Sequence, residues 1–417
     1  MEAEVKICQN CKQSFRIEEA DFKFYGKIKV PPPTWCPECR LVRRLAALNH
    51  NSLYHRQCNL CGKNIIAMYH SNVSFPVYCM PCVWSDRWNP LWYGREYNFV
   101  ASFFQQFQVL QNVVPRGAMM GLYQTWINSE YNNFAQDLKN CYLLFNSDYN
   151  ENCAYGSEVE RSKDCFDIMM VDSCELSYFS VDIVKSYATH FSIDCEGCQN
   201  VWFSKNLTNC SNCFGCINLR NKQYYIFNKA YTKEIYLEEL KNFDLGSAKV
   251  IGEMLKTASL FYLKFPHKFI HGRHNVNVSG DYIYHSKNTH DSYIATESEN
   301  CRYCMWLLIK TTKECYDYSQ FGENAQNVYE ALVCGKGINN LKFSAFCVAD
   351  VFDVDYCIDC DASHHLFACI GLRNKSYCIL NKQYTKEEYE KLVPRIIEHM
   401  NSMPYVDSKG RVYRYGE

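Results

Sequence analysis

Eight cysteines fall into four Cys-x2-Cys pairs near the start of the chain: Cys8/Cys11, Cys36/Cys39, Cys58/Cys61 and Cys79/Cys82. Two residues between thiols let both sulfurs reach one ion from a single turn. Two such knuckles complete a tetrahedral four-sulfur site with no open position. The intervals are Cys-x2-Cys-x24-Cys-x2-Cys and Cys-x2-Cys-x17-Cys-x2-Cys. The spacing therefore predicts two structural Zn2+ ions, one per quartet. Gly62 follows one knuckle and Pro37 sits inside another, as tight turns require. A closed four-cysteine site is structural, so no Lewis-acid chemistry is expected there.

The chain has 26 cysteines, so eighteen lie outside the quartets. Some are paired again, as Cys195/Cys198, Cys210/Cys213 with Cys216, Cys301/Cys304 and Cys357/Cys360. One reading is a further metal site built from Cys195, Cys198, Cys210 and Cys213. The favoured reading is an internal ladder of small apolar residues at stacked, equivalent positions. His267, His271 and His274 could hold a metal, but Pro266 and Gly272 interrupt any helix there, so a capping role is preferred. His364-His365 alone carries no signal. Asp350, Asp353, Asp355, Asp359 and Asp361 could act as acid and base, yet at unit boundaries they read better as turn residues. The sequence has no phosphate-binding glycine loop, no nucleophile elbow and no His-Glu-x-x-His. No catalytic residue is assigned, and a non-catalytic protein with no small-molecule substrate is expected.

The formal net charge of −1 hides an uneven distribution. Residues 1–99 hold 13 Lys+Arg and 8 Asp+Glu, a balance of +5, and residues 140–216 hold 4 against 11, a balance of −7. Arg40, Arg43 and Arg44 cluster on a short helix leaving the first quartet, with Leu41, Leu45 and Leu48 on another face. Such a patch can contact phosphates. The favoured reading is compensation of the thiolate charge or contact with protein. Arg220, Lys222, Arg373 and Lys375 are a second, repeated basic element. A protein partner is the first expectation, and RNA or DNA is the alternative.

These residues need elements to position them. With 64 aromatic residues among 417 the chain is not of the disordered class. Phe103, Phe104, Phe107 and Leu110 form a helical stripe that predicts an internal packing face. From Asn128 onward, units such as Asn140-Cys141, Asn152-Cys153 and Asp164-Cys165 recur every eleven to twelve residues. A fixed short period marks a solenoid, and the absence of helical periodicity makes it a parallel β-solenoid. One strand of about five residues plus a turn per unit, two units to a coil, is the expected build. A longer repeat lies on top: residues 214–236 return at 367–389 with 16 of 23 positions identical. Thr232 and Thr385 read as helix N-caps. The fold class is thus mostly β: two zinc-ribbon or treble-clef modules, then a two-part parallel β-solenoid with capping helices. The expected boundaries are 1–50 and 51–99 for the zinc modules, 100–127 for a helical connector and 128–230 for the first solenoid half. A helical insert (231–275), the second half (276–383) and a C-terminal helix and tail (384–417) follow. No apolar run suits a signal peptide or a membrane span, so a cytoplasmic protein with reduced thiols, away from membranes, is expected.

The stretch Cys8-Gln-Asn-Cys11, Phe15, Phe24-Tyr-Gly-Lys27, Pro33 and Cys36-Pro-Glu-Cys39-Arg40 with Arg43-Arg44 resembles a bacterial treble-clef-like zinc-ribbon family. With the Cys-rich units and the block Cys216-Ile-Asn-Leu-Arg-Asn-Lys-Gln-Tyr-Tyr-Ile-Phe-Asn228, most of the chain is similar to cysteine-rich zinc-ribbon repeat proteins of candidate-phyla bacteria. Members are sometimes labelled CaiB/BaiF coenzyme A transferases, an α/β class of which this sequence carries no signature. The family has no settled activity, so the resemblance implies structure and zinc rather than a reaction.

Overall fold

The computed structural model describes residues 2–309, 311–322, 325–335 and 337–417, with Ile309 and Phe321 described in their backbone alone. The protein is mostly β, 39% strand and 20% helix. Strands β1 (Glu4–Ile7) and β2 (Ser14–Ile17) form an antiparallel hairpin, followed by helices α1 (Glu19–Lys27) and α2 (Pro37–Ala46). The plan repeats with β3 (Tyr54–Gln57), β4 (Asn64–Ala67), β5 (Val77–Tyr78) and the short α3 (Met80–Val83). Helix α4 (Phe103–Val113) buries Phe103, Phe107 and Leu110, as its stripe predicts. Strand β6 (Arg116–Gly117) then pairs back to β5.

The solenoid follows, in two stacks of parallel strands, from Trp126–Ile127 to Gln223–Ile226 and from Gly272–Arg273 to Ser376–Ile379, each closed by a short antiparallel strand, Lys229–Ala230 and Lys382–Gln383. In the first stack a residue pairs with the one twelve positions on: Tyr142 with Ala154, Ala154 with Phe166, Phe166 with Tyr178. One twelve-residue unit is therefore a whole coil, not half of one. The reason lies in the backbone. From Asn140 to Asn221 nearly every third residue has a positive φ, including Asn140 (53°), Asn152 (53°), Asp164 (52°) and Gly197 (63°). Each such residue turns the chain, so four three-residue sides close a coil. Asn and Asp tolerate this left-handed region best among residues with a side chain, which explains their place at unit boundaries. Their amides also join successive coils: Asn128 donates to Asn140 (3.1 Å), Asn140 to Asn152 (3.1 Å) and Asn152 to Asp164 (2.9 Å).

The residue after each corner points inward, so a coil encloses four side chains, in the first half small polar or aliphatic ones such as Cys, Ser, Val, Ile and Leu. All eighteen cysteines outside the quartets are buried. Cys153 and Cys165 donate back to the carbonyls of Glu151 (3.4 Å) and Lys163 (3.2 Å). Inward serines donate the same way and accept from the next coil: the Ser162 hydroxyl takes the Cys174 N–H (3.2 Å), and Ser204 takes that of Cys216 (3.0 Å). These side chains satisfy interior backbone groups whose loss would cost about 1–3 kcal/mol each. Small inward residues with a polar atom are thus selected by the coil itself.

The second stack is less regular. Met305 pairs fourteen residues on with Ser319, Tyr316 thirteen on with Tyr329, and the twelve-residue step returns at Phe352 and His364. Helices α5 (Lys233–Leu240) and α6 (Ala248–Tyr262) lie between the stacks and bury Phe203, Phe214 and Ile226. Helix α7 (Lys386–Ser402) follows the second stack, and α5 and α7 each pack beside the last coil of their half. Thr232 and Thr385 cap α5 and α7 through the N–H groups of Ile235 (3.3 Å) and Glu388 (3.2 Å). Among the described residues no helix is long and apolar enough to cross a membrane.

Candidate metal centres

Each cysteine quartet is assembled from a hairpin turn and a helix start. The turn between β1 and β2 presents Cys8 and Cys11, while Cys36 is the N-cap residue of α2 and Cys39 lies in its first turn. Pro37 at the first helical position needs no N–H partner, so the helix can begin directly at the thiols. Cys58, Cys61, Cys79 and Cys82 repeat this arrangement around β3, β4 and α3. Within each quartet all four sulfurs lie within 4.8 Å of one another, as ligands of one metal ion must.

Backbone N–H groups turn toward the sulfurs. Cys36 N–H donates to Cys8 Sγ (3.2 Å) and Cys79 N–H to Cys58 Sγ (3.2 Å). Burial alone raises the Cys8 thiol, but the amides of Cys36, Cys11 and Asn10 outweigh it and bring it down to about 6. Cys58 falls to about 6 in the same way, burial again opposing and the Cys79, Cys61 and Leu60 amides prevailing. Burial and the neighbouring thiols push Cys82 up to about 12. One thiolate is therefore favoured in each quartet before any cation arrives, and a divalent ion would hold all four. The donor set and its closed packing fit a metal ion.

The residues after the first quartet are placed differently from the surface patch expected of them. Arg40 and Arg44 are buried against the second solenoid half, where both reach the fully buried Asp317 at 2.9 Å. Arg44 also donates to Ser319 Oγ (3.1 Å), and Arg40 to the Trp35 carbonyl (2.7 Å). Arg43 pairs with Glu330, its Nε 3.1 Å from Oε2. Arg40 and Arg44 are enclosed by the chain itself and do not present themselves to a phosphate. Around them Phe24 stacks on Tyr316 (3.9 Å between centroids), Tyr25 meets Tyr329 edge-on (5.2 Å), and Lys27 pairs with Glu314. The second module docks on the same half and also, through Met68 against Asn133 and Phe134, on the opening coils of the other. Arg373 lies 3.6 Å from the Trp84 ring centroid and donates to the Val83 carbonyl (3.1 Å). The acceptors Asp317, Glu330 and Glu314 escaped sequence reasoning, because nothing local marks which corner of a coil will face a helix some 270 residues away.

Other expected residues do not converge. Cys195, Cys198, Cys210 and Cys213 occupy inward ladder positions, and among the described residues the groups that could hold a metal are the two N-terminal quartets. His271 sits between Asp281 (3.1 Å) and Asp194 (3.4 Å), His274 stacks on His285 (4.8 Å), and His267 is exposed. His364 and His365 touch through their Nδ1 atoms (2.8 Å). The acidic run is dispersed: Asp355 binds Lys342 (3.2 Å) and the Tyr415 hydroxyl (2.8 Å), Asp353 lies 3.7 Å from His365, and Asp350 is exposed. Arg220 and Lys222 are exposed, and Lys375 is half-buried.

No family model and no curated relative matches the chain. Among solved structures it is similar to one described as a "putative acetyltransferase" from Desulfovibrio desulfuricans G20, at 12% identity over 67% of this chain and 86% of that one. The TM-score is 0.13, and that likeness carries no argument here.

Proposed function

We propose that this protein is a non-catalytic interaction protein whose two N-terminal modules are closed by structural Zn2+ and whose solenoid presents an extended surface to a protein partner. The observation that carries this reading is the pair of closed four-cysteine groups whose adjoining helix is locked onto one solenoid half. A metal held by four sulfurs has no position left for a substrate, so its work is to fix α1 and α2 in place. Four thiolates suit zinc among the divalent ions. The quasi-one-dimensional solenoid offers what such folds use for recognition, a long and regular lateral surface.

Metal analysis and a pull-down test the reading together. Purified protein is expected to hold two zinc ions per chain. Tagged protein, used at two salt concentrations in native extract, is expected to retain a protein partner at both. Retention of RNA or DNA that is lost steeply with salt would replace this reading by a nucleic-acid one, with Arg220 and Lys222 the exposed basic residues to examine. Turnover of any substrate dependent on a solenoid residue would replace it by an enzymatic one.

A further inference from the structure

The two solenoid halves can be aligned coil by coil from the repeated block. Counting back from Phe214 along the strand pairs gives Trp202, His190, Tyr178 and Phe166. Counting back from its equivalent Phe367 gives Asp355, Lys342, Tyr329 and Tyr316. Tyr178 thus corresponds to Tyr329, and Phe166 to Tyr316. Several flanking residues match in kind, although Phe179 stands where the second half has Glu330 and Met169 where it has Ser319. Asp164-Cys165-Phe166-Asp167 in the first half answers Glu314-Cys315-Tyr316-Asp317 in the second, and Tyr155 answers Tyr303 one coil earlier.

In the second half this pattern is the socket for α1 and α2. Asp317 takes Arg40 and Arg44, Glu314 takes Lys27, Tyr316 stacks on Phe24, and the Tyr303 ring lies 5.3 Å from the Arg40 guanidinium carbon. Tyr316 and Tyr329 are only 7% and 0% exposed as a result. In the first half the same positions are uncovered: Tyr155 is 53% exposed, Phe166 42% and Tyr178 41%. They line an open groove with Asp164, Asp167 and Leu176. Asp167 is exposed, and no cation reaches it among the described residues. The surrounding residues 140–216 carry a balance of −7.

We propose that this groove is an open copy of the arginine-receiving socket, and that it docks an arginine-bearing helix of a protein partner. The occupant is specified by the filled copy. It carries arginine to meet Asp167, a second cation to meet Asp164, and an aromatic or aliphatic side chain to cover Phe166 and Tyr178. Guanidinium suits both demands, since it pairs with carboxylate and stacks on aromatic rings. The inference rests on the protein-interaction reading and names the partner's chemistry.

A synthetic peptide of residues 37–48, with Cys39 replaced by serine, serves as the probe. It carries the three arginines of α2 and is titrated into the intact zinc-loaded chain, whose second-half socket is already filled. Saturable binding to one site is expected, weakened at least tenfold by Asp167→Asn, by Phe166→Ala, or by changing the peptide's arginines to glutamine. Both protein variants lie on an exposed face, and unchanged circular dichroism would show them folded. Lack of saturable binding up to millimolar peptide would overturn the proposal. So would binding that survives Asp167→Asn, which would mean displacement of α2 from the second half. A partner from the pull-down that binds the Asp167→Asn protein as well as the original would leave the interaction reading standing and remove this site. A pull-down without any protein partner would remove both.

Discussion

The two halves of the solenoid share a coil geometry, a terminal strand-and-helix block and a column of aromatic residues, yet one column is covered and the other is bare. In the second half Tyr316, Tyr329 and Tyr356 lie beneath α1, α2 and α4, and their rings form one core with Phe24, Tyr25 and Phe103. In the first half the equivalent rings reach solvent until Phe203 and Phe214, where α6 and the segment after α5 take over. The basic motif repeats the lesson. Arg373 is held under Trp84 by the second metal module, whereas its counterpart Arg220 is exposed. A repeated backbone does not dictate a repeated role. What differs is which neighbour the chain supplies: the N-terminal modules touch the first half only at its opening coils, through Met68 against Asn133 and Phe134, and cover the aromatic column of the second half alone.

Removal of the metal should break this asymmetry most strongly. Structural zinc in small four-ligand modules contributes about 10–16 kcal/mol of apparent binding free energy. Chelation is expected to unfold the modules around both quartets and to expose the second-half aromatic column, leaving the coils from about Trp126 to Ile226 protected. Hydrogen exchange mapped by mass spectrometry reads this directly. Equal loss of protection in both halves would show that the first half also depends on the metal region.

Asp317→Ala is the next largest effect. It strands the Arg40 and Arg44 guanidiniums in a buried site, a loss of about 3–5 kcal/mol for a broken buried pair. The corresponding change in the first half, Asp167→Ala, removes an exposed group and should stay within about 0.5 kcal/mol. Denaturant unfolding of both variants, followed with limited proteolysis between α2 and the solenoid, compares them. Similar destabilisation would erase the distinction between filled and open sockets. Smaller than the Asp317→Ala effect is that expected of Cys198→Ser or Cys210→Ser. Serine already occupies neighbouring ladder positions with the same hydrogen bonds, so stability should change by less than about 1.5 kcal/mol and metal content should not change. Cys58→Ser, by contrast, should lower metal content by one ion per chain.

Much of this architecture was legible in the sequence, because it is written in local spacing. The quartets need only a turn and a helix start, so Cys8 to Cys82 could be assigned from intervals alone. The solenoid period showed through Asn-Cys steps, because the corner favours Asn and the next position favours a small residue. The coil itself did not show. Many of the left-handed corners are filled by Tyr, Phe, Leu or Lys, which carry no turn signal, so a four-cornered coil looked like half of a two-sided one. The arginines of α2 were misplaced for a different reason. A basic helix face reads as a surface patch unless its acceptors are known, and Asp317 and Glu330 become its neighbours only when the whole solenoid has folded back on it.

Acidification should separate the metal region from the coils by a smaller margin. Burial raises Asp148 to about 6 and Glu158 and Glu160 to about 7 in the first half, and Asp359 to about 6 and Asp361 to about 7 in the second. These carboxyls bind protons more tightly folded than unfolded. Their contribution is therefore greatest below the ordinary carboxyl range near 4 and is lost as pH rises through about 6 to 7. The coils should accordingly gain stability when pH is lowered from 7.5 to 5.5. The metal modules should move the other way, because protons compete with the ion for thiolate. Exchange rates corrected for their intrinsic pH dependence are expected to fall in residues 142–184 and rise in residues 4–46 over that interval. The covered second-half column should follow the modules even as its own coils tighten, since its cover is what the protons loosen. If the rates over Tyr316 and Tyr329 instead fell with those of the first half, the aromatic column would hold together without its metal-bound cap, and the difference between the halves would lie in the coils themselves.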